Sequence, residues 1–456
     1  MGITSAFFAA TSGINATSRA LSEIGNNIAN AQTIGYKSRS VSFGDLFGAT
    51  IGGGGTSTAL VEGRGVRVLG IDPSFTQGSL QTTSNALDLA IDGDGFFRVS
   101  DASGNIFYSR AGQFSADAQG NLVNPAGLRL QGDQADDTGL LSGSIGNISL
   151  TTSTQPGKLT SDIAMSGRLA ADAPVNTYTT PQVLDPITNK GLFPGNTSVR
   201  VFDSLGIGHD LQIYFAQTAD NVWKYSVLAQ GGTNGVDTTT LVPSTNYDSN
   251  TNNALVAEGT LTYTADGFLD SESAVTYFNT AGDGIDFDKA TPAQPITFDF
   301  GTSITEGGAG TDGLLQQGTS LNQNALVLDT LSQDGYGPGS LAGTSIGEDG
   351  VITGRFDNGT TRTLGQVRLT RFINPDGLQP IGRNLFIQSG DSGTPLDGAP
   401  GTGAFGKVSA STLEASNVDL GEELVNMITM QRGFQANSRI ITTTNDLLGE
   451  LVNLAR

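Results

Sequence analysis

The chain has 456 residues, 63 of them glycine, no cysteine and a formal net charge of −21. That length accommodates roughly two to four domains of ~100–200 residues each. The acidic balance argues against a nucleic-acid partner, which recruits a basic face, and the missing cysteine excludes disulfides, thiolate metal sites and thiol catalysis.

Residues 3–31 read as one amphipathic helix, because Ile3, Phe7, Ala10, Ile14, Thr17, Leu21, Ile24, Ile28 and Ala31 recur at spacings of three and four, the rhythm of a coiled-coil seam. This first helix is not an apolar run. No leader of charged, apolar and small-residue regions is expected, and no stretch reads as a membrane-spanning helix. After Tyr36 the text turns irregular, and Gly52 to Gly55 read as a linker. Short strands begin with VRVLGI from Val66, LDLAI from Leu87 and FFRVS from Phe96, separated by turns such as Asp94-Gly95. A more polar, threonine-rich block occupies 150–300, with strands SVRVF from Ser198, DLQIYF from Asp210, VWKYSVLA from Val222, GTLTYT from Gly259 and ITFDF from Ile296. Residues 230–255 look loop-like and 302–330 irregular. Strands resume at Val351, Leu364 and Asn384, and 389–406 read as a second linker. A last helix runs from near Val418 almost to Arg456, with Leu420, Leu424, Met427, Phe434, Ile441 and Leu448 on its seam.

The expected architecture is therefore mixed and mainly β, with sandwich- or barrel-like domains between two terminal helices that pair as a coiled-coil-like core. The expected divisions are a discontinuous helical domain (1–45 and 412–456), an extended linker (46–70), a discontinuous inner β-domain (71–149 and 301–405) and an outer β-domain (150–300). The two seams are incomplete alone, so the helices are expected to order when neighbouring chains supply the other wall. Gln431, Ser438 and Asn445 also recur every seven residues, at a position where a strong coiled coil prefers Ile or Leu. Either that row faces a channel or solvent, or it sets register while keeping helix contacts weak.

Apparent active-site motifs dissolve on inspection. GTGAFGK at 401–407 lacks the Ser or Thr that would ligate Mg²⁺, since Val408 stands there, and no apolar strand precedes it. IDGDGFF from Ile91 resembles a calcium loop but places Phe96 and Phe97 where ligands belong, so it reads as a tight turn. His209, the single histidine, reads as a surface turn residue in DSLGIGHDL. The pairs Asp136-Asp137 and Glu422-Glu423 read as solvated faces, the second also suiting a helix N-terminus. No catalytic, cofactor or metal residues are expected.

NNIANAQTIGYKSR from Asn26 and LEASNVDLGEELVNMITMQRGFQANSRII from Leu413 resemble the paired terminal signatures of the flagellar rod and hook axial protein family. TQGSLQTTSNALDLAIDGDGFFRV from Thr76, GQFSADAQGNLVNPAGLRLQG from Gly112 and LGQVRLTRFINPDGL from Leu364 are similar to its β-domain motifs. SVRVFDSLGIGHDLQIYF from Ser198 and QDGYGPGSLAGTSIGEDGVITGRFDNG from Gln333 look like those of the hook members, and the distal-rod members are much shorter. Asn27, Asn30, Thr33, Gly35, Tyr36, Asn417, Val418, Asp419, Gln431 and Asn437 carry the terminal signatures.

The resemblance implies a structural subunit of a curved, flexible tube that transmits torque, with the helices in its inner wall. It implies as partners further copies of the chain, the distal rod protein, the hook–filament junction protein, the hook cap and length-control proteins, and the flagellar type III export apparatus. It implies an extracellular place in the hook and basal body, reached without a cleaved signal peptide, and no cofactor, nucleic acid or membrane insertion. The competing classes are another flagellar axial protein, an adhesin-like surface β-protein, which would need a leader or anchor, and a secreted glycosidase, which would need paired carboxylates in a cleft.

Overall fold

The computed structural model describes residues 2–46, 49–51, 60–62, 65–136, 138–150, 154–175, 195–230, 247–248, 253–279, 282–291, 293–318 and 325–454. Two helices bracket the chain, α1 (Gly2–Ala29) and α2 (Leu420–Leu454), and between them the described residues are mainly strands. Helix α1 stops two residues short of the expected end. Asn30 turns its side chain onto the Asn26 carbonyl, and Thr33 Oγ1 bonds Asn30 Oδ1, so local side-chain bonds replace the helical ladder. At the start of α2, Asp419 Oδ1 accepts from the Gly421 and Glu422 amides and caps the helix.

The chain forms two compact units. The first contains residues 1–153, 341–355 and 361–456. Behind α1, strand Arg39–Asp45 pairs antiparallel with Val66–Pro73, and Ala49–Ile51 pairs with Leu60–Glu62. The segment expected as a linker at 46–70 is thus part of a long hairpin, although Gly52 to Gly55 lie outside the described residues. Alternation in VSF and VRVLGI is the signal, read too late in the chain. The β-domain of this unit has antiparallel neighbours in the order 361–367, 129–135, 96–100, 106–109, 385–387, 379–382. Phe96, Tyr108, Phe372, Leu378 and Phe386 form its aromatic core, with Phe75 against them. Residues 389–406 are no linker either, because Leu396–Gly398 pairs with Leu369–Arg371. The turn at Gly93 and Gly95 joins strands Leu89–Asp92 and Phe96–Ser100, both glycines holding positive φ as the tight-turn reading requires.

The second unit contains residues 154–340 and 356–360. Strand Asp162–Leu169 is paired parallel with Thr297–Asp299 and Leu314–Gln316, and antiparallel with Leu326–Gln333. This pairing draws 301–340 into the second unit, whereas the sequence grouped them with the inner β-domain. Composition alone hides it, because the partners are more than a hundred residues apart. A seven-stranded sheet, counted among the described residues, carries Gly195–Phe202, Gly208–Ala219, Val222–Gln230 and Asn253–Tyr263 in that order along its main path. Trp223, Tyr225, Phe215 and Phe300 are fully buried between the layers. Gly259 leaves room for the Tyr225 ring, whose hydroxyl would stand 2.3 Å from any Cβ there.

Two hook-like motifs prove to be turn devices in this unit. Asp203 Oδ1 accepts from the Leu205 and Ile207 amides, and Asp203 Oδ2 lies 2.9 Å from His209 Nε2. His209 is buried and stacks on Phe287 at 4.4 Å, so it is not the surface residue that its glycine-rich setting suggested. It opens a strand, opposite Val201. Asp334 gathers the Ser161 and Asp162 amides, Ser161 Oγ and Lys158 Nζ.

Glu272 has the most costly carboxyl of this unit. Burial first, then repulsion from Glu306 and Asp299, pushes its pKa up to about 7. A folded value above the unfolded 4.5 means that the native state binds the extra proton between about pH 4.5 and 7. Stability therefore falls as pH rises through that window, and the loss is complete above it. Glu272→Gln should stabilise this unit by about 1 kcal/mol at pH 8, after discounting for partial exposure, and leave it unchanged at pH 4. Thermal unfolding at the two pH values checks this, and equal shifts at both would refute it.

Candidate assembly site

Helices α1 and α2 pack on each other within the subunit. The contact face of α1 is Ala10, Gly13, Ala16, Ala20, Ile24 and Asn27, all buried. Its partners on α2 are the half-buried Met427, Met430, Gly433, Asn437 and Ile441, with Thr444 buried. The interface rests on small residues. A Cβ on Gly13 would stand 2.6 Å from Asn437 Nδ2, and one on Gly433 would meet Thr17 at 3.7 Å. Small side chains set a short distance between helix axes.

Within one subunit the expected seam residues are divided between the face shared by the two helices and their outer surface. Of its α1 residues only Ile24 and Ala10 are buried. Phe7, Ile14, Leu21 and Ile28 are half-buried along the flank, and the side chain of Ile3 lies outside the described residues. On α2, Met427 and Ile441 face α1, whereas Leu424, Phe434, Leu448 and Gln431 are exposed. The expected seam holds large apolar residues together with Ala10, Thr17 and Ala31, whereas the closest approach, at Gly13 and Gly433, uses the smallest residues. Leu424 and Ile428, at 50% and 51% exposure, one turn apart, remain uncovered, as do Val425, Ile440 and Leu447. In the polar row, Gln431 and Asn445 are exposed and Ser438 is half-buried.

The terminal-signature residues converge where the helices meet the β-domain. Asn27 donates through Nδ2 to the Arg39 carbonyl and to Glu423 Oε1, at 2.9 and 2.8 Å, and accepts through Oδ1 from the Arg39 amide and the Tyr36 hydroxyl. Burial raises the Tyr36 pKa, keeping it a donor. Asn417 accepts from the Ser38 amide and donates to the Ser74 and Thr76 carbonyls. Gly35 holds φ +67, and a Cβ there would lie 2.5 Å from the Ala111 amide nitrogen. Its own amide donates to the Glu414 carbonyl. Val418 is half-buried beside the cap Asp419.

Beneath them lies a fully buried ion cluster that the sequence did not announce. Glu414 Oε1 accepts from Lys37 Nζ at 2.6 Å and from the Gly78 amide at 2.9 Å, while Arg110 Nη1 stands 3.5 Å from Oε2. Lys37 Nζ also donates to the Thr76 carbonyl at 2.7 Å. Burial lowers the Lys37 pKa, and Glu414 opposes that shift. Nothing in the signature text marks Lys37 and Glu414 out from its other charged residues, such as Arg39, Asp419 and Arg432.

Four family models match: Flagella basal body rod protein (residues 8–37), Flagellar hook protein FlgE/F/G D1 domain (90–167), Flagellar basal body protein FlaE D2 domain (169–336) and Flagellar basal body rod FlgEFG protein C-terminal (409–454). The chain is 37% identical to the flagellar hook protein FlgE of Escherichia coli K12, across 98% of this chain and 100% of the relative. It is 35% identical to that of Salmonella typhimurium LT2 (98% and 99%) and 32% to that of Borreliella burgdorferi B31 (98% and 98%). The solved Helicobacter pylori flagellar hook protein FlgE2 aligns with a TM-score of 0.49 at 16% identity, across 74% of this chain and all of that one.

Removing the shared carboxylate tests the ion cluster. Glu414→Gln leaves Lys37 and Arg110 buried without their counter-charge, and should cost about 3–5 kcal/mol. Urea unfolding of the full chain measures it; a loss under about 1 kcal/mol, the size of an exposed pair, would show that the cluster is not sealed.

Proposed function

This chain belongs to the flagellar hook protein family, and on that premise we propose that its copies polymerise through their helix pairs into a curved, flexible tube, a universal joint that carries motor torque to the filament. Membership makes it a structural subunit of the flagellar hook. The observation that carries the assembly reading is the uncovered apolar surface of α2, at Leu424, Val425, Ile428, Ile440 and Leu447. An amphipathic helix is expected to bury one face. Here one side of α2 is met by small residues of α1, and larger apolar side chains stand outward, ready for neighbouring copies. A tube demands a repeating head-to-tail contact rather than a closed two-fold one.

The helical backbone hydrogen bonds run along the axis and suit an inner wall that bears load. The hook is exported through the flagellar type III apparatus without a cleaved leader, lies outside the cell, and meets the distal rod, the junction protein, the cap and length-control proteins. It does no catalysis; its work is mechanical. The named seam residues, from Phe7 and Ile14 to Phe434 and Leu448, take part in contacts between copies.

Placing carboxylates on the uncovered α2 surface separates assembly from folding. The double variant Leu424→Asp, Ile428→Asp should leave the melting temperature of the monomer within about 2 °C, since both positions are exposed, while abolishing tubes in negative-stain images and motility in cells. Normal tubes from this variant would remove α2 from the polymer contact.

The polar row yields a second test. Changing Gln431, Ser438 and Asn445 together to Leu should lower motility without blocking export, by stiffening the hook or driving aggregation, because polar residues in a seam weaken it and hold its register. Hooks of normal bending stiffness in swimming cells would mean that the row only faces solvent or the channel.

A further inference from the structure

Three contacts fix the register of the helix pair. Asn27 Nδ2 bonds Glu423 Oε1, a Cβ on Gly13 would meet Asn437, and one on Gly433 would meet Thr17. Positions 423, 433 and 437 thus face 27, 17 and 13, so α2 runs antiparallel to α1, one residue back for each residue forward. That step sets Met430 opposite Ala20, and Met427 opposite Glu23 and Ile24. Met430 also lies seven residues from both Glu423 and Asn437, on one helical stripe with them. Thr444, the next member of the stripe, is buried.

The chain has four methionines. Met1 lies outside the described residues. Met165 is 2% exposed, inside the core of the second unit. Met427 and Met430 are half-buried, with exposed Asn426, Ile428, Thr429 and Gln431 beside them along the chain. Among the described thioethers, these two are the ones that a small solute can reach. They are also long, unbranched gap-fillers in a contact made mostly of small residues. Opposite them α1 offers Ala16, Ala20 and Ile24, which carry no side-chain donor, and Glu23, an acceptor whose Oε2 is buried without a hydrogen-bond partner among the described residues. Thr17 Oγ1 already donates to the Gly13 and Ile14 carbonyls.

We propose that Met427 and Met430 are an oxidation site for hydrogen peroxide, and that their sulfoxides unlatch α1 from α2. A sulfur lone pair attacks one peroxide oxygen. The S–O bond forms as the O–O bond breaks, and the departing hydroxide takes the proton from the new S–OH group and leaves as water. Sulfur loses two electrons and the peroxide gains them. The product turns a flexible apolar group into a polar one, with an oxygen that accepts hydrogen bonds. No side-chain donor on the facing stretch of α1 meets that oxygen, so the side chain must turn out to water and give up its contact with α1. The site stands without the hook reading; its consequence, that oxidised chains fail to join tubes, rests on that reading.

The test treats the full-length chain with hydrogen peroxide under native conditions and follows each methionine by peptide mass spectrometry. Met427 and Met430 should gain oxygen at least about tenfold faster than Met165, which burial shields. Equal rates overturn the site. Hydrogen exchange then reads the latch. Amides of α1 between residues 10 and 24 should exchange roughly tenfold faster after oxidation, with both β-rich units unchanged, and methionine sulfoxide reductases should restore the slow rate. Exchange that oxidation leaves unchanged, or that reduction does not restore, overturns the latch. So does a lack of protection in the untreated chain. Met427→Leu with Met430→Leu, close in volume, should keep slow exchange through the same treatment; protection lost there on treatment places the damage elsewhere and overturns the latch too. In negative-stain images the oxidised chain should form no tubes, and the chain reduced again should form them. Tubes from the oxidised chain overturn the consequence for assembly. A chain that forms no tubes in either state sinks the hook reading, while the mass spectra and exchange rates still decide the site.

Discussion

A single carboxylate, Glu414, fixes where the helices stand on the β-domain of the first unit. It is wholly buried, and a charge removed from water must be met from every side. Lys37 comes from the turn after α1, the Gly78 amide from the segment after the hairpin, Arg110 from the end of a β-domain strand, and Glu414 itself from the strand just before α2. Four stretches distant in sequence must arrive together, because any one of them absent leaves the others charged and dry. Such clusters are poor sources of net stability, but they narrow the ways in which the segments can meet, even though Arg110 Nε and Nη1 and Glu414 Oε2 stand without a hydrogen-bond partner among the described residues. For a subunit that transmits force, uniqueness is the useful property. The polar shell above it, centred on Asn27 and Asn417, repeats the arrangement with neutral groups, tying side-chain amides to backbone atoms that no sheet or helix satisfies.

Much of this organisation was legible in the order of residues. The two helices and most strands follow from apolar periodicity, and the small β-turns from their glycines and asparagines. The terminal-signature residues were identified only by resemblance. Their chemistry was hidden because Asn27, Tyr36, Lys37 and Glu414 act through partners up to several hundred residues away, and no local pattern encodes such a meeting. The face shared by the two helices within the subunit was hidden for a different reason. Periodicity ranks residues by hydrophobicity, and it chose Ile14, Leu21 and Ile28. Close helix contact selects by size, so the face went to Ala10, Gly13, Ala16 and Ala20. His209 was misplaced because glycine on both sides suggests solvent, whereas here the glycine turn serves to bring Asp203 back onto the ring.

The same size rule divides the work between the two helices. A seam of alanine and glycine holds α1 and α2 together through close backbone approach and needs few large apolar groups. The large ones, Leu424, Ile428 and Leu447 among them, are left on the outside. In the proposed assembly, stability of the subunit and strength of its contacts with other copies therefore reside in different residues of the same helix. Substitutions on the outer rows can tune contacts between copies without loosening the pair, and substitutions at Gly13 or Ala20 act the other way. A joint that bends while turning needs that separation: outer contacts must break and re-form at small cost, while each subunit keeps one shape. The buried cluster at Glu414 holds that shape where the segments flanking the helix pair meet the β-domain of the first unit.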